Sequence, residues 1–429
     1  MQSVYVYEFP HSTHHFLKTV LLTLKHSLSL TLQHFFPFAA NLVCPPPPAK
    51  PHILFTDGES SVSFTVVESA AYFDFFLGNH PRPVGELHPF IPKLQAPTRA
   101  EGGSRVGPLM ALQVTVFPNS GICIGFRFCH VAADGRSFDN FMKSWALVCK
   151  SGGDFGPGLQ LPSHDRAAIK DPDAVELKFL ERWWSWASTL EDREDARPVV
   201  DCRADYVRAT FVLSQAQIER LKRLVRNQLA KDENSTPFNV SSFVVSSALI
   251  WFCLAKSEEI TERNNSSVNE DDEPYYIIFG ADCRSRLEFP LPTTYFGNCL
   301  RMCFVPVTKK ELSGEKGVVA AAKAIGKEVG RLKSEALKEF DEWFVKHGEA
   351  TKRGKHFAVE GSTNLSVYEA DFGWGKPKKC NLVHIEESNA ISLVESRDEK
   401  GGVEFSFALS RNRMTRFSAI FEEMLSQFI

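Results

Sequence analysis

The sequence predicts a mixed α/β (α+β) protein with strands and helices interleaved in both halves. Three observations carry this. Around residue 120, two runs of alternating apolar residues flank a Pro-Asn-Ser-Gly turn. Near the C-terminus Val403, Phe405, Phe407 and Leu409 alternate, and Met414, Phe417, Phe421, Met424 and Phe428 follow at helical spacing. The 429 residues exceed one ordinary core and suit two domains. The expected division is a first domain over 1–191, a charged, irregular crossover over 192–205 and a second domain over 206–429.

In chain order, Val4, Val6 and Glu8 alternate with Tyr5, Tyr7 and Phe9 as a strand that Pro10 ends. Phe16, Val20, Leu24 and Leu28 then recur at helical spacing. Pro45 to Pro48 is a rigid loop. Leu112, Val114 and Val116, then Ile122, Ile124, Phe126 and Phe128, predict a hairpin with one buried face. Its second strand runs straight to His130, and Phe138, Phe141, Met142, Trp145 and Cys149 predict a helix beyond Gly135. Residues 239–256 read as a mostly buried helix, 258–273 as a polar surface loop and Tyr275 to Phe279 as a buried strand. Val318, Ile325, Val329, Leu332, Ala336, Phe340 and Phe344 form one stripe of a long helix.

Composition removes several function classes. Hydrophobic residues at 43% and charged residues at 24% are ordinary for a globular protein. A formal net charge of −3 gives no basic face for nucleic acid or an anionic membrane. The most apolar run, Phe243 to Ala255, is interrupted by two serines and is shorter than the roughly 20 residues a membrane helix needs. The first residues lack the pattern of a signal peptide. Ten scattered Cys without a CxxC pair read as reduced thiols in a cytoplasmic protein and make a metal site unexpected. The 35 Phe suggest aromatic cores and pockets for flat ligands.

Three constellations carry candidate chemistry. His130-Val131-Ala132-Ala133-Asp134-Gly135 sits where a core strand gives way to a helix, and Gly135 allows a tight turn. A neutral imidazole there has the basicity to take a proton from a hydroxyl. The bland alternative, of equal weight on pattern alone, is a histidine that caps the helix or satisfies a backbone group. Asp371-Phe372-Gly373-Trp374-Gly375 has two glycines around a Trp, which mark a sharply turning backbone; the lysines after it are most simply a solvated face. In Asp282-Cys283-Arg284-Ser285-Arg286 the two arginines fall on one strand face, and either could pair with a buried carboxylate such as Asp134. There is no Gly-x-Ser-x-Gly elbow and no Cys in a recognisable reactive setting, which favours a histidine acting as a base over a covalent enzyme intermediate.

Together these residues resemble the plant BAHD acyl-CoA-dependent acyltransferases. The resemblance rests on His130-x-x-x-Asp134-Gly135 and, far along the chain, Asp371 to Gly375. Tyr295-Phe296-Gly297-Asn298-Cys299, Tyr7 to His11, His34 to Pro37 and Asp165-Arg166 are similar to the flavonoid and anthocyanin branch, whose members acylate sugar hydroxyls of phenolic glycosides. The resemblance implies a two-domain chloramphenicol acetyltransferase-like fold, with mixed sheets, flanking helices and a channel between the domains. His130 would be the general base midway along it. Asp134 would point away and pair with an Arg, taken as Arg286, with Gly135 supporting the motif. Asp371, Phe372, Gly373, Trp374 and Gly375 would hold the architecture and the coenzyme A side. Arg166, Arg136, Phe138, Asn298 and Thr363 would line the donor or acceptor channel. The implied co-substrate is acyl-CoA, with no permanently bound cofactor, and the implied partner is a small phenolic glycoside met by a monomer.

The sequence also departs from that pattern. Family members usually carry a further strand-bearing segment before Tyr7-Glu8-Phe9-Pro10, and without it a neighbouring strand should show an unpaired edge. Cys129 stands where many members have a His, and Phe138 stands where some malonyl-transferring relatives have an Arg. Malonyl is the expected acyl group and a hydroxycinnamoyl donor the near alternative. A non-catalytic paralogue that binds phenolics is the contrasting class, and the intact His130 and Asp134 argue against it.

Overall fold

The computed structural model describes residues 1–156, 159–171, 174–191, 203–231, 237–258, 272–333, 336, 342–352 and 355–427. Most of the expected crossover (192–202) and of the acidic loop (259–271) lies outside them.

Two mixed sheets dominate. The first has five strands in the order Lys379–Leu382, Gln2–Glu8, Gly121–Phe128, Met110–Phe117 and Ser63–Glu68. Gln2–Glu8 is interior and paired on both sides; the outer strands are Lys379–Leu382 and Ser63–Glu68. The second has seven strands, in the order Leu300–Thr308, Pro274–Asp282, His356–Glu360, Ala390–Glu395, Val403–Ser410, Tyr206–Leu213 and Arg82–Pro83. Each sheet therefore takes a strand from the far half of the chain: 379–382 completes the first and 82–83 the second.

The central hairpin buries both faces, and this corrects the expectation of one. Every residue of Met110–Phe117 is buried, as is all of Gly121–Phe128 except Arg127. Helices Leu21–His34 and Gly135–Lys150 cover one face, packing Leu24, Phe141 and Trp145 against Leu112, Val114 and Phe126. Phe73, Phe76 and Phe90, from two short 3₁₀ turns, cover the other. Gln113, a polar residue in this core, spends its amide on the Pro89 carbonyl (2.8 Å) and the Thr115 hydroxyl (3.0 Å), as a buried amide must.

The second sheet packs against helices Ser242–Lys256, Gly317–Arg331 and Arg411–Gln427. Ser242–Lys256 is apolar all round and almost wholly buried. The stripe expected on one long helix is divided. Helix Gly317–Arg331 ends before Leu332, and Phe344 belongs to a separate helix, Trp343–Thr351.

Buried ionic groups join the sheets. Arg208, 1% exposed, donates to the Leu382 carbonyl (2.6 Å), Asn381 Oδ1 (3.0 Å) and Ser406 Oγ (3.0 Å), and pairs with Glu386 at 3.3 Å. Lys379, 3% exposed, pairs with Glu404 at 3.0 Å. Pairing of this kind is what lets charges remain inside a protein.

Candidate active site

The Gly121–Phe128 strand ends one residue before Cys129, whose N–H donates to the Leu109 carbonyl (2.8 Å). The Ala132 N–H then returns to the Cys129 carbonyl (3.0 Å), so His130 and Val131 form the corner of a four-residue turn. Both are exposed. Among the described residues nothing hydrogen-bonds the His130 ring, and the helix-cap reading fails: the cap is Asp134, which accepts from the Ser137 N–H at 3.0 Å.

Asp134 is 1% exposed and turned away from the imidazole. Its partner is Arg284, and this corrects the choice of Arg286. Arg284 Nη1 meets Oδ2 at 2.8 Å and Nη2 meets Oδ1 at 3.0 Å, the two-pronged geometry that suits a guanidinium and a carboxylate. The Cys299 N–H gives Oδ2 a further bond at 3.0 Å. Arg284 is 2% exposed, and its remaining N–H groups reach the Tyr295 and Gly297 carbonyls, Ser137 Oγ and Asp282. Burial would lower its pKa, but Asp134 and Asp282 outweigh this and raise it. Arg286 donates instead to the Asp282 carbonyl. The strand stops at Asp282, so Arg284 and Arg286 lie in a turn and share no strand face.

Residues 295–299 fasten this loop from the other half. The Ser137 hydroxyl accepts from the Gly297 N–H (3.1 Å). Asn298 Nδ2 donates to the carbonyls of His130 (2.7 Å) and Val131 (3.3 Å). Gly297 has φ +136°, and a Cβ there would meet the Arg166 guanidinium at 2.9 Å, so the loop needs glycine at this point. Gly135 is a different case. It is the first helical residue, without positive φ, and a Cβ would lie 3.4 Å from Leu365 Cδ1. The helix start, not a special glycine conformation, makes the bend.

The other residues expected in a channel divide. Arg166 donates to the Phe296 carbonyl and stacks over the Tyr295 ring at 4.9 Å. Arg136 is held by Asp282 at 2.6 Å. Burial would raise Asp282, but the Arg284 N–H and the guanidinium groups of Arg284 and Arg136 keep it below its ordinary value. Phe138 is buried and stacked on Phe128, centroids 4.7 Å apart. Thr363 sits in the 362–365 turn whose Leu365 faces Gly135. Sequence reasoning missed Ser137 as a member of this cluster, and named Asp282 in its motif without a role. Ser137 gave a signal as the third residue after an N-cap Asp.

Asp371 to Gly375 lie at the far end of the same helix. Asp371 pairs with Lys150 at 2.6 Å and accepts from the N–H groups of Gly373 (2.8 Å) and Gly375 (2.9 Å), both at positive φ. Trp374 stacks on Tyr7, and Phe372 meets Trp145 edge-on at 4.7 Å. Lys150 ends the helix that Gly135 begins, so the two ends stand about 22 Å apart at 1.5 Å per residue. Of the lysines that follow, Lys376 and Lys378 make solvent-exposed pairs with Glu369 and Glu8, as a solvated face would, while Lys379 is buried against Glu404.

Among the described residues no group of three His, Cys, Asp or Glu stands ready to hold a metal ion, and no helix is long and apolar enough to cross a membrane.

The site thus consists of an exposed imidazole on a turn that residues from both halves of the chain brace. The chain matches the Transferase family model over residues 1–424 and belongs to that family, the acyl-CoA-dependent BAHD acyltransferases. It is an acyl-CoA-dependent O-acyltransferase, with coenzyme A thioester as co-substrate. It is 40% identical to the coumaroyl-CoA:anthocyanidin 3-O-glucoside-6''-O-coumaroyltransferase 1 of Arabidopsis thaliana, over 99% of this chain and 90% of that one. It is 36% identical to phenolic glucoside malonyltransferase 1 of Nicotiana tabacum, over 99% and 92%. Among solved structures, vinorine synthase matches with a TM-score of 0.66 at 19% identity, covering 97% of this chain and 88% of that one. F. sporotrichioides TRI101, crystallised with coenzyme A and T-2, matches with 0.64 at 17%, covering 99% and 94%. These likenesses establish the α/β fold.

Proposed function

We propose that this enzyme moves an acyl group from coenzyme A onto a sugar hydroxyl of a phenolic glucoside, with His130 as general base. The observation that carries the reading is an exposed imidazole, free of ring partners among the described residues, on a turn that Asp134, Arg284 and Asn298 fix from behind. The neutral ring takes the hydroxyl proton as the oxygen attacks the thioester carbonyl. A C–O bond forms, the C–S bond breaks, and the imidazolium returns its proton to the departing thiolate of coenzyme A. No enzyme nucleophile takes part. In this reading residues 1–191 and 206–429 are the two domains, the substrates meet between them at His130, and a monomer works in the cytoplasm.

For the acyl group we favour a hydroxycinnamoyl over the malonyl group expected from sequence. Phe138, at the position where some malonyl-transferring relatives have an Arg, is apolar and stacked on Phe128 in the core, so it offers no cation to a malonyl carboxylate. Arg136 and Lys143 are already spent on Asp282 and Asp139, at 2.6 Å each. The 40% identical relative named above is a coumaroyltransferase. Malonyl remains the second reading because of Arg166, an exposed guanidinium against the 296–297 backbone with N–H groups to spare for a carboxylate. Coenzyme A release with coumaroyl-CoA and malonyl-CoA, each supplied with an anthocyanidin 3-O-glucoside, separates the two. Faster turnover with malonyl-CoA, lost in Arg166→Leu, establishes the second reading. No turnover with any acyl-CoA ends the proposal.

A further inference from the structure

His130 poses a problem of orientation. In a triad a carboxylate fixes the imidazole by bonding its ring. Here the one carboxylate of the motif, Asp134, faces the other way and is saturated by Arg284, the Ser137 N–H and the Cys299 N–H. The ring itself has no partner among the described residues, so its direction depends on the backbone that carries it. That backbone is a turn on the protein surface, where motion is least restrained.

The structure assigns the restraint to Asn298, which we propose is the positioning residue of the catalytic base. This inference rests on the reading of His130 as that base. Asn298 is exposed, and its side-chain amide spans two successive carbonyls, His130 O at 2.7 Å and Val131 O at 3.3 Å. Those carbonyls belong to the two corner residues of the Cys129–Ala132 turn. One NH₂ group clasping both fixes the peptide planes after His130 and after Val131, and with them the direction of the His130 Cα–Cβ bond.

Asn298 is itself held on both sides. The Gly297 N–H donates to Ser137 Oγ at 3.1 Å, and the Cys299 N–H donates to Asp134 Oδ2 at 3.0 Å. The Gly297 carbonyl accepts from Arg284 at 3.1 Å, and the Phe296 carbonyl accepts from Arg166. Asp134 thus reaches His130 by a route through Cys299 and Asn298, not through the ring. The chemistry of the side chain is specific: the clasp needs an N–H donor. Asn298 Oδ1 takes no part in it.

The test compares Asn298→Ala and Asn298→Asp with wild type and with His130→Ala, in steady-state coenzyme A release and thermal melting. Loss of the clasp lets the imidazole wander, and small misplacements of a reacting group cost heavily. Asn298→Ala should therefore lower kcat by about tenfold or more, with KM for both substrates and the melting temperature near wild type. Asn298→Asp, similar in shape but presenting oxygens to two carbonyl oxygens, should be at least as damaged. Three results overturn the inference. One is a wild-type kcat in Asn298→Ala. Another is a loss that follows a fall in melting temperature. The third is a mild Asn298→Asp beside an Asn298→Ala whose defect lies in acceptor KM, which would make Oδ1 a substrate contact. His130→Ala keeps the two readings apart. If it is inactive while Asn298→Ala is fully active, only the positioning role fails; if it is active, the base assignment fails.

Discussion

Arg284 meets the carboxylate of Asp134 with both arms, at 2.8 Å and 3.0 Å, although 150 residues separate them along the chain. The pair joins the turn after one sheet's hairpin to the turn after a strand of the other sheet. It is buried, and its spare donors and acceptors are all engaged. Its place in the reaction is therefore one of support.

Breaking that pair should cost stability first. Asp134→Ala leaves a buried guanidinium with only the partly exposed Asp282 as counter-charge, and breaking a buried pair costs up to about 3–5 kcal/mol. Arg284→Ala should do comparable damage from the other side. Arg286→Ala removes one bond to the Asp282 carbonyl and should cost no more than about 1 kcal/mol. Denaturant melts of the three variants check the assignment. Damage from Arg286→Ala that equals that from Arg284→Ala would contradict it.

Asp371 should prove structural and remote. Asp371→Ala removes the Lys150 pair and two backbone bonds, a loss of about 1–3 kcal/mol. It acts at the opposite end of the Gly135–Lys150 helix from the His130 turn. Folded Asp371→Ala protein should keep kcat within a few-fold of wild type while melting earlier. A deep fall in kcat with unchanged stability would place this segment in the chemistry.

Asp139 gives a pH signature. Burial, opposed by Lys143, pushes its carboxyl up from 3.8 to about 6. Glu395 adds to the rise, and Arg136 works against it. Folded Asp139 keeps its proton where the unfolded chain has lost it. Its contribution to stability is whole below pH 3.8 and is lost as pH rises through about 6. Asp139→Asn cannot ionise and lacks this slope. Between pH 4 and 7 wild type should lose stability relative to the variant, by on the order of 3 kcal/mol. A difference between the two proteins that does not change with pH would contradict the shift.

Much of the frame could be read from residue patterns. Alternation at 112–116, 122–128 and 403–409 located strands, and spacing at 138–149 located the helix that begins at the motif. The hairpin's second buried face escaped notice because Gln113 and Thr115 look like solvent-facing positions. They are buried polar groups satisfied inside. The single long helix was an error of continuity: the apolar period runs on past Arg331, where one helix ends, to Phe344 in another, with Phe340 outside the described residues. Choosing Arg286 over Arg284 failed because local pattern cannot say that the strand ends at Asp282. The strand exchange at 82–83 and 379–382 and the clasp of Asn298 on His130 are long-range, and no period in the sequence encodes them.

Turnover of His130→Ala tests the central claim most directly. Wild type and variant are compared in coenzyme A release from coumaroyl-CoA in the presence of an anthocyanidin 3-O-glucoside, with melting curves alongside. His130 is exposed and its ring holds nothing in place among the described residues, so the variant should melt like wild type. Its kcat should fall by about 10²–10⁴, the usual loss when a positioned general base is removed. A folded His130→Ala enzyme that retains most of its turnover would contradict the mechanism.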